Sequence, residues 1–136
     1  MPVRYSQAAS GTPNPLTVLD IDGLSVSASC DQSGGTITLN FAVRSADAAT
    51  LHETVTVDSG PDLSNSGAAD FTGNLQIDLP AGATLQTGGP SATTGYNRIA
   101  VQAIYSAAGK TVDLHLFAAV NADDGRCSID GVAVPA

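Results

Sequence analysis

The chain lacks tryptophan, has one methionine, and includes only five lysines and arginines among its 136 residues. Thirteen acidic residues give it a net charge of −8. Because proteins bind phosphate backbones through clustered basic side chains, this composition argues against a nucleic-acid partner. It also disfavours binding to anionic membranes, and no run approaches the roughly 20 apolar residues that cross a bilayer. We therefore expect neither a nucleic-acid partner nor membrane insertion.

Long helices are also disfavoured by the composition. Charged residues make up 13% of the chain, about half the usual share, and Thr, Ser, Gly, Asn and Gln replace them. The apolar 43% consists mostly of small residues such as Ala and Val. Residues of these types favour short strands and tight turns, and a chain of this length suits one domain with a core of its own.

The two cysteines, Cys30 and Cys127, lie near opposite ends of the chain, outside any Cys-x-x-Cys motif and away from both histidines. This spacing does not suit zinc, and we expect no metal site and no cofactor. A disulfide between them would close a loop of roughly 100 residues and contribute about 4 kcal/mol. The alternative is a pair of buried free thiols in a cytosolic protein. The paired count and the composition are typical of extracellular domains, so we favour the disulfide.

Residues 1–15 contain Pro, Ser and Gly without periodicity, which predicts an extended N-terminal arm or linker before a single domain at 16–136. No signal peptide precedes the polar N-terminal segment. We therefore expect either a trimmed leader or the mature end of a longer protein.

From residue 16 onward, apolar residues recur with a period of two, which predicts about eight strands. Asp22-Gly23, residues 107–110 and Asp123-Asp124-Gly125 are typical hairpin turns. The glycine-rich stretch 82–96 is interpreted as a long loop. Regular turn spacing favours an all-β, antiparallel two-layer β-sandwich. A jelly-roll-like form is preferred to an immunoglobulin-like one, because Trp is absent and the cysteines are far apart.

Two histidines, His52 and His115, are the only side chains that ordinarily titrate near neutral pH. Both occupy the polar phase of their strands, and neither has a Gly-x-Ser-x-Gly nucleophile motif nearby. We predict no catalytic residues and no enzymatic activity.

Carboxylate pairs occur at Asp20 and Asp22 and at Asp123 and Asp124, and turn aspartates of this kind can bind Ca²⁺. Solvated turn residues are the simpler interpretation. Exposed rings could instead stack on a sugar. The alternation places Phe41, Phe71 and Tyr105 in the core and leaves Tyr5, Tyr96 and Phe117 as the exposed candidates.

The predicted hairpin at 99–120 is apolar on both faces. Ile104 and Phe117 accompany Ala100 and Ala119 on faces that are poorly polar, and Leu114 and Leu116 fill the opposite face of their strand. Such a hairpin is covered either by its own domain or by a neighbouring subunit. Ile104, Leu114, Leu116 and Phe117 are therefore candidate interface residues.

Two segments carry a family resemblance: residues 18–30, in which Asp-Gly-Leu24 leads to a strand ending in Ala-Ser-Cys30, and the Gly-Arg-Cys127-Ser-Ile-x-Gly131 segment. Together they resemble uncharacterised secreted β-domains of actinobacterial-type surface proteins, some of which look like C-terminal domains behind collagen-like stalks. The resemblance implies an extracellular β domain with paired cysteines and no known catalytic residues. Behind a stalk it would also imply a jelly-roll trimer, although this sequence has no Gly-X-Y repeat.

These observations predict a secreted or cell-surface, non-catalytic structural or interaction module. We expect it to self-assemble, with a trimer as the favoured homo-oligomer. The alternative is a carbohydrate- or Ca²⁺-binding domain that uses the 82–96 loop and the turn aspartates, with a glycan or surface polymer as its partner.

Overall fold

A computed structural model describes residues 1–60 and 71–136, with side chains other than those of residues 56–60, 71–75 and 87–88. The described residues form ten strands: β1 Pro2–Ala8, β2 Leu16–Ile21, β3 Leu24–Ser33, β4 Thr36–Ser45, β5 Ala49–Gly60, β6 Phe71–Leu79, β7 Thr84–Ala92, β8 Tyr96–Ala107, β9 Lys110–Asn121 and β10 Arg126–Pro135. Among these residues there is no helix that could span a membrane.

The strands make two antiparallel sheets. The six-stranded sheet has the order β1-β10-β9-β8-β5-β6, and the four-stranded sheet has the order β2-β3-β4-β7. Core side chains from both sheets point between them. The predicted all-β, two-layer antiparallel sandwich is confirmed, with ten strands in the described residues where the sequence indicated about eight.

A jelly-roll-like arrangement is present in one part of the chain. β5 and β6 pair with each other in the six-stranded sheet, while β4 and β7, which flank them in sequence, pair in the four-stranded sheet. A hairpin nested inside another pair and placed in the opposite layer is the arrangement that builds a jelly roll. Elsewhere β2–β3–β4 and β8–β9–β10 are simple hairpins within one sheet.

The N-terminal segment does not form the extended arm that the sequence predicted. Residues 2–8 pair with β10 as the edge strand of the six-stranded sheet. Val3 and Tyr5 are 1% and 8% exposed, so the expectation that Tyr5 is exposed is also wrong. Only Val3 and Tyr5 form the apolar face of this strand, and Pro2, Arg4 and Ser6 lie on its outer face. A period-two pattern with two apolar residues is too short to recognise in the sequence.

The predicted long loop at 82–96 is mostly strand, since Thr84–Ala92 pairs with β4. Gly82 and Gly95 have positive φ and lie in the turns on either side of β7, whereas Gly89 lies within the strand. A Cβ built on Gly89 would lie 2.5 Å from both the Leu39 carbonyl oxygen and Cε2 of Phe41. The Phe41 ring therefore lies against the Gly89 backbone, and only a residue without a side chain fits there.

The alternation at the start of β2 is interrupted. The period-two pattern that starts at residue 16 puts Leu16 and Val18 on one apolar face, but Leu16 is 45% exposed and Leu19 is 2% exposed. A register shift between Thr17 and Leu19 explains the difference, because a bulge moves every following side chain to the other face of the sheet.

Hairpin turns and the disulfide are where the sequence placed them. Asp22 and Gly23 have φ values of 50° and 86°, as a two-residue turn between β2 and β3 requires. Cys30 of β3 and Cys127 of β10 form a disulfide with a Cα–Cα distance of 5.6 Å, and both cysteines are fully buried. The bond joins the two sheets through the core. It is compatible with an extracellular location.

Candidate functional site

The two histidines lie on the outer face of the six-stranded sheet, separated by β8. His52 of β5 pairs with Ile104, and His115 of β9 pairs with Gln102. Together with Asp113, these side chains line a shallow depression. No group of three or more His, Cys, Asp or Glu side chains able to hold a metal ion occurs in the described part of the chain.

The two pairs of turn aspartates lie at opposite ends of the sandwich. Asp22 belongs to the β2–β3 turn, which packs near the Tyr105 hydroxyl and therefore close to the β8–β9 turn. Asp123 and Asp124 belong to the β9–β10 turn, at the other end of β9. The structure thus does not bring the four carboxylates, Asp20 included, into one site.

The carboxylates of the β9–β10 turn bind groups of the protein itself. Asp123 Oδ1 accepts a hydrogen bond of 3.2 Å from the Gly95 backbone N–H, and Asp124 Oδ2 accepts one of 3.0 Å from Asn121 Nδ2. These bonds connect the turn to β9 and to the turn before β8. A stabilising role in the turn accounts for both side chains.

The aromatic rings expected at the surface do not form a stacking platform. Tyr5 is buried, and Tyr96 is half-buried with a hydroxyl that has no hydrogen-bond partner among the described residues. Phe117 is 60% exposed, as predicted, and lies on the outer face of β9. Tyr96 pairs with Asn121, four residues further along β9, so the two rings are not adjacent. The side chain of Phe71 lies outside the described part of the structure, and one exposed ring among the described aromatic side chains is too little for a sugar-stacking surface.

Exposed apolar side chains cluster on the outer face of the six-stranded sheet. Ile104, Phe117, Val132 and Val134 are 48%, 60%, 37% and 46% exposed and lie on the neighbouring strands β8, β9 and β10; they are called the outer apolar patch below. Asp113 pairs with both Ile104 and Val134, and Val132 is the diagonal neighbour of Phe117. The apolar side chains therefore surround a few polar ones.

Two of the four candidate interface residues are on this outer face, and two are not. Ile104 and Phe117 belong to the outer apolar patch. Leu114 is 4% exposed and Leu116 packs against the core, because both point between the sheets. The alternation along β9 separates the two groups, and the four-stranded sheet covers the face that carries the leucines.

A cavity of about 160 Å³ lies between the two sheets. The described residues that line it are apolar apart from Glu53; the others are Leu24, Val26, Phe41, Val43, Leu51, Val55, Ile99, Val101, Ala103, Leu114, Leu116, Ala118 and Ile129. Glu53 is the only glutamate of the chain. An apolar pocket with one polar group is a common form of small-molecule site.

Glu53 occupies an inward position on β5, between Leu51 and Val55, and pairs with Ala103 of β8. No hydrogen bond or ion pair to the half-buried Glu53 carboxylate is found among the described residues. Burial raises the pKa of this carboxyl above its ordinary value, since desolvation penalises the charged form. The sequence signal was a lone acidic residue on the apolar phase of a strand, which interrupts the pattern without indicating a cavity.

Comparison of the chain with protein-family models, with curated proteins and with solved structures finds no match. The geometry of the described residues therefore carries the functional argument.

Proposed function

We propose that the protein is an extracellular, non-catalytic interaction module that self-associates through the outer apolar patch. The observation that carries this proposal is the grouping of Ile104, Phe117, Val132 and Val134 on adjacent strands of one sheet face. Exposed apolar side chains that group together are typical of protein interfaces, whereas single exposed apolar side chains are common on any protein surface. Covering them with a second copy removes their area from water and is favourable.

The charge distribution favours a second copy as the partner. The outer face of the six-stranded sheet carries three arginines and three aspartates among its described side chains: Arg4, Arg98, Arg126, Asp78, Asp113 and Asp130. The whole chain has a net charge of −8, so most of its excess acidity lies elsewhere. Two copies therefore meet with the least electrostatic repulsion when these nearly neutral faces approach each other.

An oxidising compartment suits the buried disulfide between Cys30 and Cys127, which joins the two layers. This supports a secreted or cell-surface location. The resemblance of residues 18–30 and 125–131 to secreted surface domains favours the same location. For a domain behind a stalk, the same resemblance implies a trimer, which is the homo-oligomer that we propose.

The mass of the protein in solution tests the proposal. We expect multi-angle light scattering across a concentration series to give a multiple of the 13.6 kDa chain mass, with and without Ca²⁺. Phe117→Asp should shift the distribution to monomer, because it replaces the most exposed apolar side chain of the patch by a charge that the contact would have to bury. Leu16→Asp is the matched control, since Leu16 is comparably exposed at the edge of the four-stranded sheet.

A monomer at all concentrations would overturn the proposal, as would equal effects of the two substitutions. A multimer that appears only with Ca²⁺ would favour a metal-dependent contact through the turn aspartates.

A further inference from the structure

We propose that the cavity between the sheets binds a small molecule with an apolar body and a protonated amine, and that its ammonium group pairs with the Glu53 carboxylate. The inference rests on the juxtaposition of one acidic side chain with a cavity lining whose other described residues are all apolar. It is independent of self-association, because Glu53 faces the interior and the outer apolar patch faces away from it.

The cavity volume sets the size of the ligand. At about 160 Å³ it resembles engineered apolar cavities of about 150 Å³, which accept benzene. A ligand with a single ring or a short alkyl chain, roughly six to eight non-hydrogen atoms, fits this space. Larger ligands would require the two sheets to separate.

The charge of Glu53 determines the polar group of the ligand. An ionised carboxylate in apolar surroundings is costly unless it is paired and hydrogen-bonded. A primary ammonium offers three N–H donors and the opposite charge, so it meets both requirements. A neutral hydrocarbon would leave the carboxylate unpaired, and an anion would be repelled by it.

Solvent reaches the cavity because several side chains of its lining are only partly buried. Phe41, Val43, Val55, Val101 and Leu116 point between the sheets and retain accessible surface. A ligand can therefore enter without unfolding either sheet.

A structural role does not account for Glu53. Among the described residues none forms a hydrogen bond or an ion pair with its carboxylate, while a leucine or methionine at this position would fill part of the cavity. Filling a cavity of this kind is ordinarily stabilising. Pairing with a cationic ligand would explain why position 53 carries a carboxylate.

Titration with benzylamine, followed by amide chemical shifts, tests the proposal at pH 7. We expect saturable shifts at Val55, Val101 and Ala103, and at least tenfold weaker binding of toluene and benzoate, which share the ring but lack the positive charge. Glu53→Gln should weaken benzylamine binding at least tenfold. Asp130→Asn, which removes an exposed carboxylate from the outer face of the same sheet, should leave it unchanged.

Three results would overturn the proposal. The first is the absence of saturable shifts at the lining residues. The second is equal binding of toluene and benzylamine, which would show an apolar cavity that does not use the carboxylate. The third is unchanged benzylamine affinity in a folded Glu53→Gln variant, as judged by retained amide dispersion. None of these results depends on the oligomeric state.

Discussion

The hydroxyl oxygen of Tyr105 lies 2.7 Å from Ser45 Oγ, and both residues are fully buried. Ser45 Oγ donates its own proton to the Asp47 carbonyl oxygen at 2.5 Å, so Tyr105 is the donor in the contact with Ser45. Tyr105 belongs to β8 in the six-stranded sheet, and Ser45 ends β4 in the four-stranded sheet. This pair of hydroxyls therefore connects the two layers at one end of the sandwich, as the disulfide connects them through β3 and β10.

Removing the Tyr105 hydroxyl should destabilise the fold. We expect Tyr105→Phe to lower the free energy of unfolding by about 1 kcal/mol, because Ser45 loses the hydrogen bond that it accepts. Urea denaturation measures the change. Tyr96→Phe is the matched control, since the buried Tyr96 hydroxyl has no hydrogen-bond partner in the described part of the chain and its loss should cost nothing. Equal losses in the two variants would contradict the assigned bond.

Opening the disulfide should cost considerably more. Replacing Cys30 and Cys127 together by alanine frees a loop with a sequence separation of 97, and we expect a loss of about 4 kcal/mol by the chain-entropy argument. Urea midpoints of the native protein with and without reductant provide a second measurement. An unchanged midpoint under reducing conditions, with reduction confirmed by thiol titration, would show that the bond does not constrain the unfolded chain.

Adding one methyl group at Gly89 should be poorly tolerated. Gly89→Ala places a Cβ against the Phe41 ring and the Leu39 carbonyl oxygen, and we expect a loss of about 1–3 kcal/mol in unfolding free energy. Gly35→Ala serves as the control, because a Cβ there meets nothing within 4 Å. Unfolding of both variants at the same urea concentration would contradict the close contact of the Gly89 backbone in β7 with Leu39 and Phe41 in β4.

Glu53 should make the stability depend on pH. Burial raises the pKa of its carboxyl from the ordinary 4.5. The folded state therefore holds this proton more tightly than the unfolded chain, and the contribution is complete below pH 4.5 and lost as pH rises through the folded-state value. We expect Glu53→Gln to gain stability relative to the native protein as pH increases over that window.

The difference in unfolding free energy between the two proteins is the quantity to measure, because every contribution that they share cancels in it. Thermal unfolding at a series of pH values from 4 upward gives it, and Asp130→Asn, at an exposed carboxylate, is the comparison variant. A Glu53→Gln difference that stays constant with pH would mean that the carboxyl is not desolvated in the folded protein.

Local patterns were sufficient for the features that depend on neighbouring residues. Period-two alternation predicted the antiparallel strands, because successive side chains in a strand point to opposite faces. Asp22-Gly23 predicted its hairpin, because this turn needs positive φ at both central residues. The pairing of Cys30 with Cys127 was predicted from their count and context, since no other partner exists in the chain.

Features that depend on distant residues were decided only by the tertiary structure. The alternation along β9 predicted that Leu114 and Phe117 lie on opposite faces of the strand. Which face is buried depends on where the four-stranded sheet packs. In the sequence Gly89 indicates a loop, whereas in the structure it belongs to a strand and leaves space for the Phe41 ring. Glu53 interrupts an apolar pattern in the sequence. Only the packing of β3 and β4 against β5, β8 and β9 shows that its side chain lines a cavity. Burial is a property of the assembled layers, because residues far apart in the chain must remove the water from each surface.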